Sequence, residues 1–317
     1  MMRLPIEAAP ENPGGQRKFA RAMIIVTASR PCDRQSGGTL ASDLGPHRCN
    51  SGPFSCVLGR PQRTVMGEIM IPLRSMFLAA PIALGPALAI PALAEPVSFD
   101  AKDGVKIYGD FRRSEGQPRA TILLFHMAGS NKSEYAPLAP ILNKAGFNTL
   151  AIDQRSGGEL WGDVNETAAN ARGSADFADA LPDLDAAIAY SSMQRSGPIA
   201  VWGSSYSSAL VFIAAARHPE VKALLAFSPA EYIQGYSIEK QAVKLTIPVF
   251  ITSAPDGGEI SSGEALAKAV PGHRAVQYIP QHGVHGSATL RTDENPKGAA
   301  ENWKHVMAFL NSAFPRG

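Results

Sequence analysis

Acyl transfer by a serine needs a hydroxyl whose proton a base can take, and a base that a third group orients. The segment Gly203-Ser204-Ser205-Tyr206-Ser207 carries the GxSx(small) pattern, in which a sharp turn between strand and helix lifts a serine Oγ to the top of a sheet. Gly203 and Ser207 are both small, although Ser207 stands where glycine is usual. Ser205 is the favoured nucleophile among its neighbours. Ser204 would need the bulky Trp202 at a small position, and Ser207 falls inside the helix expected to follow. The other Gly-x-Ser, Gly235-Tyr236-Ser237, is followed by Ile238 and Glu239 and has no strand before it.

The chain order expected for such a turn is serine, acid, histidine. The loop Ser253-Ala254-Pro255-Asp256-Gly257-Gly258-Glu259 offers two carboxylates after an apolar run. Asp256 comes first, at the usual distance beyond a strand, and is the favoured acid; Glu259 is the alternative if the two glycines fold back. His285 is the favoured base, because Gly286 and Ser287 leave room for its imidazole to lean towards a serine. His282, three residues earlier, reads as a loop residue, and no carboxylate or cysteine cluster completes a metal set with the pair. The developing oxyanion needs two backbone donors. One is the amide of Tyr206, at the positive end of the following helix. The other is sought in Phe125-His126-Met127-Ala128-Gly129-Ser130, where position selects the Met127 amide and gives His126 the task of bracing the loop.

Elements must bring these distant residues together. Short apolar runs at residues 97–99, 105–108, 120–125, 149–152, 199–202, 223–227, 249–252 and 275–279 read as strands, the first two joined by a tight turn at Asp103-Gly104. Helix-period stretches lie between or after them at 134–145, 175–190, 206–218, 263–270 and 300–313. This alternation predicts an α/β fold, with a mostly parallel central sheet covered by helices on both faces. Ligands of such sheets gather at the carboxyl ends of the strands, where each candidate residue lies. The roughly twenty residues between the strand ending at Phe227 and the one starting at Val249 hold little more than one short helix, which predicts an open pocket without a large lid domain. Tyr232, Tyr236, Trp161 and Met127 are candidates to line it.

Together these residues resemble the α/β-hydrolase superfamily, most closely its dienelactone hydrolase-like and small serine esterase members, over residues 97–314. The resemblance implies a triad of Ser205, Asp256 and His285, hydrolysis of small carboxylic esters through an acyl-enzyme, and no cofactor. Dienelactone hydrolases proper carry cysteine where this chain has Ser205, and Met127 replaces a glycine often found after the histidine. A lactone or carbon–carbon hydrolase, or a peptidase, would use the same residues. A non-catalytic binding protein on the same fold is the rival from another class.

Composition narrows the field. Residues 1–94 carry 10 Lys and Arg against 5 Asp and Glu, which leaves 20 against 23 for the remainder. The net charge of +2 therefore comes from the front of the chain, and the body lacks the basic excess of a nucleic-acid binder. Cys32, Cys49 and Cys56 also fall in the front, which excludes a disulfide framework or a cysteine nucleophile from the body. Residues 1–65 show no sustained apolar period and read as disordered or as outside the true protein, with Met66 or Met70 as the start. Residues 75–94 carry no charge and end in Ala92-Leu93-Ala94, so 66–94 reads as a cleavable signal peptide. Pro81, Gly85, Pro86 and Pro91 argue against a membrane anchor there. The expected mature protein is a single domain over 95–317, periplasmic or secreted, with a small-molecule substrate and neither a nucleic-acid nor a membrane partner.

Overall fold

A computed structural model describes residues 93–171, 175–195 and 197–316. The 1–65 stretch and all but the last two residues of the expected signal peptide lie outside the described residues. Eight strands form one sheet: β1 (Glu95–Asp100), β2 (Lys106–Arg112), β3 (Ala120–Phe125), β4 (Phe147–Ile152), β5 (Ile199–Ser204), β6 (Val221–Phe227), β7 (Val249–Thr252) and β8 (Ala275–Tyr278), in the order β1-β2-β4-β3-β5-β6-β7-β8. β2 runs antiparallel to β1 and to β4, and the other pairings are parallel. The β1–β2 connection turns at Gly104, whose φ of 83° suits glycine.

The continuous apolar runs are buried on both sides, as parallel strands require. In β3, Leu123 and Phe125 face a core shared with α3 (Leu181–Met193) and α4 (Tyr206–Ala215), through Leu184, Ile188, Leu210 and Ile213. Ile122 and Leu124 face the opposite core, against α1 (Ala139–Lys144) and α7 (Ala299–Ala313), through Leu142, Trp303, Val306 and Leu310. The period-two alternation of the strand thus divides its side chains between two helical layers. Trp202 fills the second core beneath the end of β5, stacked on Phe227 at 4.4 Å between ring centroids.

Several elements depart from the sequence-based expectation. The helix expected over 134–145 is a 3-10 turn, Lys132–Tyr135, followed by α1, because Pro137 and Pro140 supply no backbone N–H for a continuous ladder. The helix expected to begin at Gly263 begins six residues earlier, as α6 (Gly257–Ala269), with Asp256 as its N-cap. Short elements also escaped the periodicity, among them α2 (Glu166–Asn170) and a 3-10 turn, Gly286–Leu290. Between β6 and β7 the chain forms only α5 (Ile238–Ala242), five residues long.

The packing of β5 against α4 depends on Gly203, where an added Cβ would collide with the backbone of Ser207 and Ser208. Gly203→Ala is expected to lower the unfolding free energy by about 1–3 kcal/mol through overpacking. Thermal denaturation should register this as a fall in Tm of about 2 °C or more; an unchanged Tm would show that α4 can move away from the strand.

Candidate active site

Between the end of β5 and the start of α4, Ser205 adopts φ 55° and ψ −124°. A side chain there stands clear of both elements, at the cost of left-handed backbone. The strained residue is held on either side: its N–H donates to the Phe227 carbonyl at 2.9 Å, and the Ser208 hydroxyl bonds its carbonyl. From the loop after β8, His285 brings Nε2 to 2.7 Å from Ser205 Oγ. Its Nδ1 lies 2.8 Å from Glu259 Oε1. A carboxylate only accepts, so Nδ1 carries the ring proton and Nε2 is left as the acceptor for the serine hydroxyl. The geometry therefore joins Ser205, His285 and Glu259 in one hydrogen-bonded line.

Asp256, the acid favoured by position in the sequence, does not join that line. Its exposed side chain turns back on its own helix, where Oδ1 accepts the N–H of Gly258 at 2.9 Å and of Glu259 at 3.2 Å. The physical reason is capping: an aspartate before the first helical residue satisfies amides that have no partner within the helix. The cap starts α6 early enough to place Glu259 on its first turn, aimed at His285. A cue for this lay in Asp256-Gly-Gly-Glu259, a capping residue followed three positions later by glutamate, which marks a helix start.

Burial alone would raise the Glu259 carboxyl. Hydrogen bonds from His285, Ser228 and the Ala254 amide (2.9 Å) outweigh it and hold the pKa at about 2. Ser228 also steadies the histidine loop, its Oγ accepting the Gly286 N–H at 2.9 Å. Ser204, the residue before the nucleophile, accepts the Ser287 N–H at 2.9 Å. Two serine hydroxyls thus pin the loop that follows His285 to the ends of β5 and β6.

The amide expected to serve as the second oxyanion donor is engaged elsewhere. The Met127 N–H is committed to Glu134 Oε2 at 2.8 Å and is not free for a substrate oxygen. Ser130 N–H closes a turn onto the Met127 carbonyl at 3.2 Å, with Gly129 at φ 69°. At the corner of this turn the Ala128 N–H has no acceptor among the described residues. The Tyr206 amide opens α4, where the intrahelical ladder offers it no partner. His126 braces the loop as expected. Its Nδ1 donates to the Met127 carbonyl at 2.8 Å and its Nε2 accepts the Gln154 N–H at 2.9 Å, while burial pushes its pKa down to about 4 and keeps it neutral.

Beside Ser205, Tyr232 donates its hydroxyl to the Ser228 carbonyl at 3.1 Å and lines a cavity of about 420 Å³ together with Phe177, Ala178, Gln234 and Gly235. Phe177 stacks on Tyr206 at 4.3 Å, which links that cavity to the start of α4. Of the other lining candidates, Trp161 packs under the Arg291 guanidinium at 3.9 Å and Tyr236 is exposed. The His282 side chain is exposed; its carbonyl anchors Asn295 and Asn302. Among the described residues, no group of three His, Cys, Asp or Glu side chains is placed to hold a metal ion.

A family model described as serine aminopeptidase, S33 matches residues 116–280. No curated protein matches the sequence. Among solved structures, an esterase of Pyrococcus furiosus aligns with a TM-score of 0.57 at 17% identity, over 70% of this chain and 93% of that one. A thermostable carboxyl esterase of Bacillus coagulans aligns with a TM-score of 0.55 at 13% identity, over 70% of this chain and 99% of the other. A dienelactone hydrolase of Anabaena variabilis aligns with a TM-score of 0.54 at 18% identity, over 72% of this chain and 100% of that enzyme. All three share the fold described above.

The Glu259 carboxyl also makes a thermodynamic prediction. Its folded pKa of about 2 lies below the unfolded value of about 4.3, so between these values the unfolded chain binds more protons. The stabilisation is complete above the unfolded value and is lost as pH falls towards 2. Urea unfolding at a series of pH values should show the wild type losing stability more steeply than Glu259→Gln between about pH 5 and pH 2. Parallel curves would mean that Glu259 is not held by His285 in solution.

Proposed function

Since the chain belongs to the serine aminopeptidase S33 family, within the α/β-hydrolase superfamily, we propose that it is a serine hydrolase that cleaves small carboxylic esters through an acyl-enzyme. The observation that carries this reading is the line from Ser205 Oγ through His285 to Glu259, with bonds of 2.7 and 2.8 Å. As Ser205 Oγ forms a bond to the ester carbonyl carbon, its proton passes to His285 Nε2. Glu259 holds the imidazole by Nδ1–H and offsets the imidazolium charge. The carbonyl oxygen becomes an oxyanion, for which the amides of Tyr206 and Ala128 are the donors. Collapse breaks the bond to the alcohol, which leaves with the proton from His285. Water repeats the sequence on the acyl-enzyme and releases the acid.

Ester substrates of modest size are supported by the short crossing between β6 and β7, where α5 is the one helix, and by the cavity beside Tyr232 and Phe177. A panel of p-nitrophenyl esters, lactones and aminoacyl anilides tests the class directly. Export is also part of the proposal, resting on Ala92-Leu93-Ala94 before Glu95; N-terminal sequencing of processed protein should begin at Glu95, and an uncleaved chain in the cytoplasm would contradict it.

A fluorophosphonate probe should label the wild type and leave Ser205→Ala unlabelled. Glu259→Gln is expected to lose about 10⁴ in kcat, as loss of the orienting acid does in other triads, while Asp256→Asn stays within about tenfold of the wild type because asparagine still caps α6. A wild type that neither reacts with the probe nor turns over any ester would leave the chain a binding protein on this fold.

A further inference from the structure

Near this site one ionisable group has no part in the chemistry just described. Glu134 lies on the 3-10 turn Lys132–Tyr135 and is fully buried. Its Oε2 accepts the Met127 N–H at 2.8 Å and the Ser130 hydroxyl at 3.3 Å. Its Oε1 makes no hydrogen bond of normal geometry. Burial pushes the carboxyl upward, and the Ser204 hydroxyl, the Met127 amide and the Arg291 guanidinium act against that. Packing gives no reason for a carboxylate here, since an apolar side chain of similar volume fills buried space without the desolvation cost.

What the carboxylate accomplishes is local and directional. It fixes the peptide plane that enters the Met127–Ser130 turn, and a turn closed at Ser130 with Gly129 at positive φ allows the next amide little freedom once that plane is set. The same carboxylate abuts Ser204, the residue that precedes the nucleophile. It therefore ties together the two segments that supply the oxyanion donors. We propose that Glu134 is a positioning residue for the oxyanion hole, holding the Met127 amide from behind so that the Ala128 amide faces the reacting carbonyl oxygen. This rests on the hydrolase reading of the site.

The test compares the wild type with Glu134→Ala, Glu134→Asp and Glu134→Gln, using a p-nitrophenyl ester for kcat and KM and a trifluoromethyl ketone for Ki, since the adduct oxygen of the ketone occupies the oxyanion hole. Glu134→Ala is expected to lose about 10²-fold in kcat, the scale of one missing donor, with KM little changed and Ki rising by the same factor. Glu134→Gln retains a carbonyl oxygen for the Met127 N–H and is expected to recover most of the loss. Glu134→Asp draws the carboxylate back by one methylene, and its parallel fall in kcat and rise in Ki decides the matter if the alanine variant fails to fold. Folded alanine or aspartate variants with wild-type kcat and Ki would overturn the inference. So would a loss confined to KM, or a loss in kcat with Ki unchanged. A wild type that neither hydrolyses the ester nor binds the ketone would count against the hydrolase reading itself, a result distinguishable from any change among the Glu134 variants.

Discussion

The geometry of the site depends on one imidazole held between two partners. His285 is 80 positions from the serine it faces and 26 from the carboxylate behind it, so no local structure brings the three together. The sheet does this by placing the ends of the parallel strands β5, β7 and β8 at one edge. The hydroxyls of Ser204 and Ser228 then turn that approximate meeting into contact by bonding the amides next to His285. Each such bond is worth only about 1 kcal/mol to stability, but its direction fixes where the ring can lie.

Below this contact the molecule uses buried polar groups as struts. Gln154, just past β4, donates from Nε2 to both the Tyr206 and the Ser207 hydroxyls at 2.9 Å, linking the strand to the first turn of α4. Its neighbour Arg155 binds Asp183 of α3 through Nε and its backbone N–H, and reaches Asp103 in the β1–β2 turn. Burial raises the Asp183 carboxyl to about 6 even against that guanidinium. Paired charges of this kind add little net stability, yet removing one partner strands the other. Their contribution is to hold the antiparallel hairpin and α3 at fixed places relative to the nucleophile.

Much of this was legible in the sequence because it is written in local patterns. Apolar runs of three to six residues marked the strands, and the small residues around Ser205 marked the turn. The base followed from Gly286 and Ser287, which leave space for a ring. What escaped was whatever depends on where a side chain points after the chain has folded. Asp256 and Glu259 are three residues apart in a glycine-containing loop, and position in the sequence favours the first; only the competition for helix-start amides decides that Asp256 turns inward to its own backbone and Glu259 outward to His285. Met127 was misjudged for a similar reason. The fate of its amide is set by a carboxylate seven residues on, in a turn shortened by two prolines, and neither periodicity nor composition reports such a bond.

The brevity of α5 has a consequence for how an acyl-enzyme would be resolved. With only five helical residues between β6 and β7, that crossing holds no large cap, and in the proposed hydrolase the water for the second half-reaction would not have to wait for one to open there. For the ester substrates proposed above, a long alcohol portion would then extend past the short crossing, and selection would fall on the few atoms nearest the carbonyl.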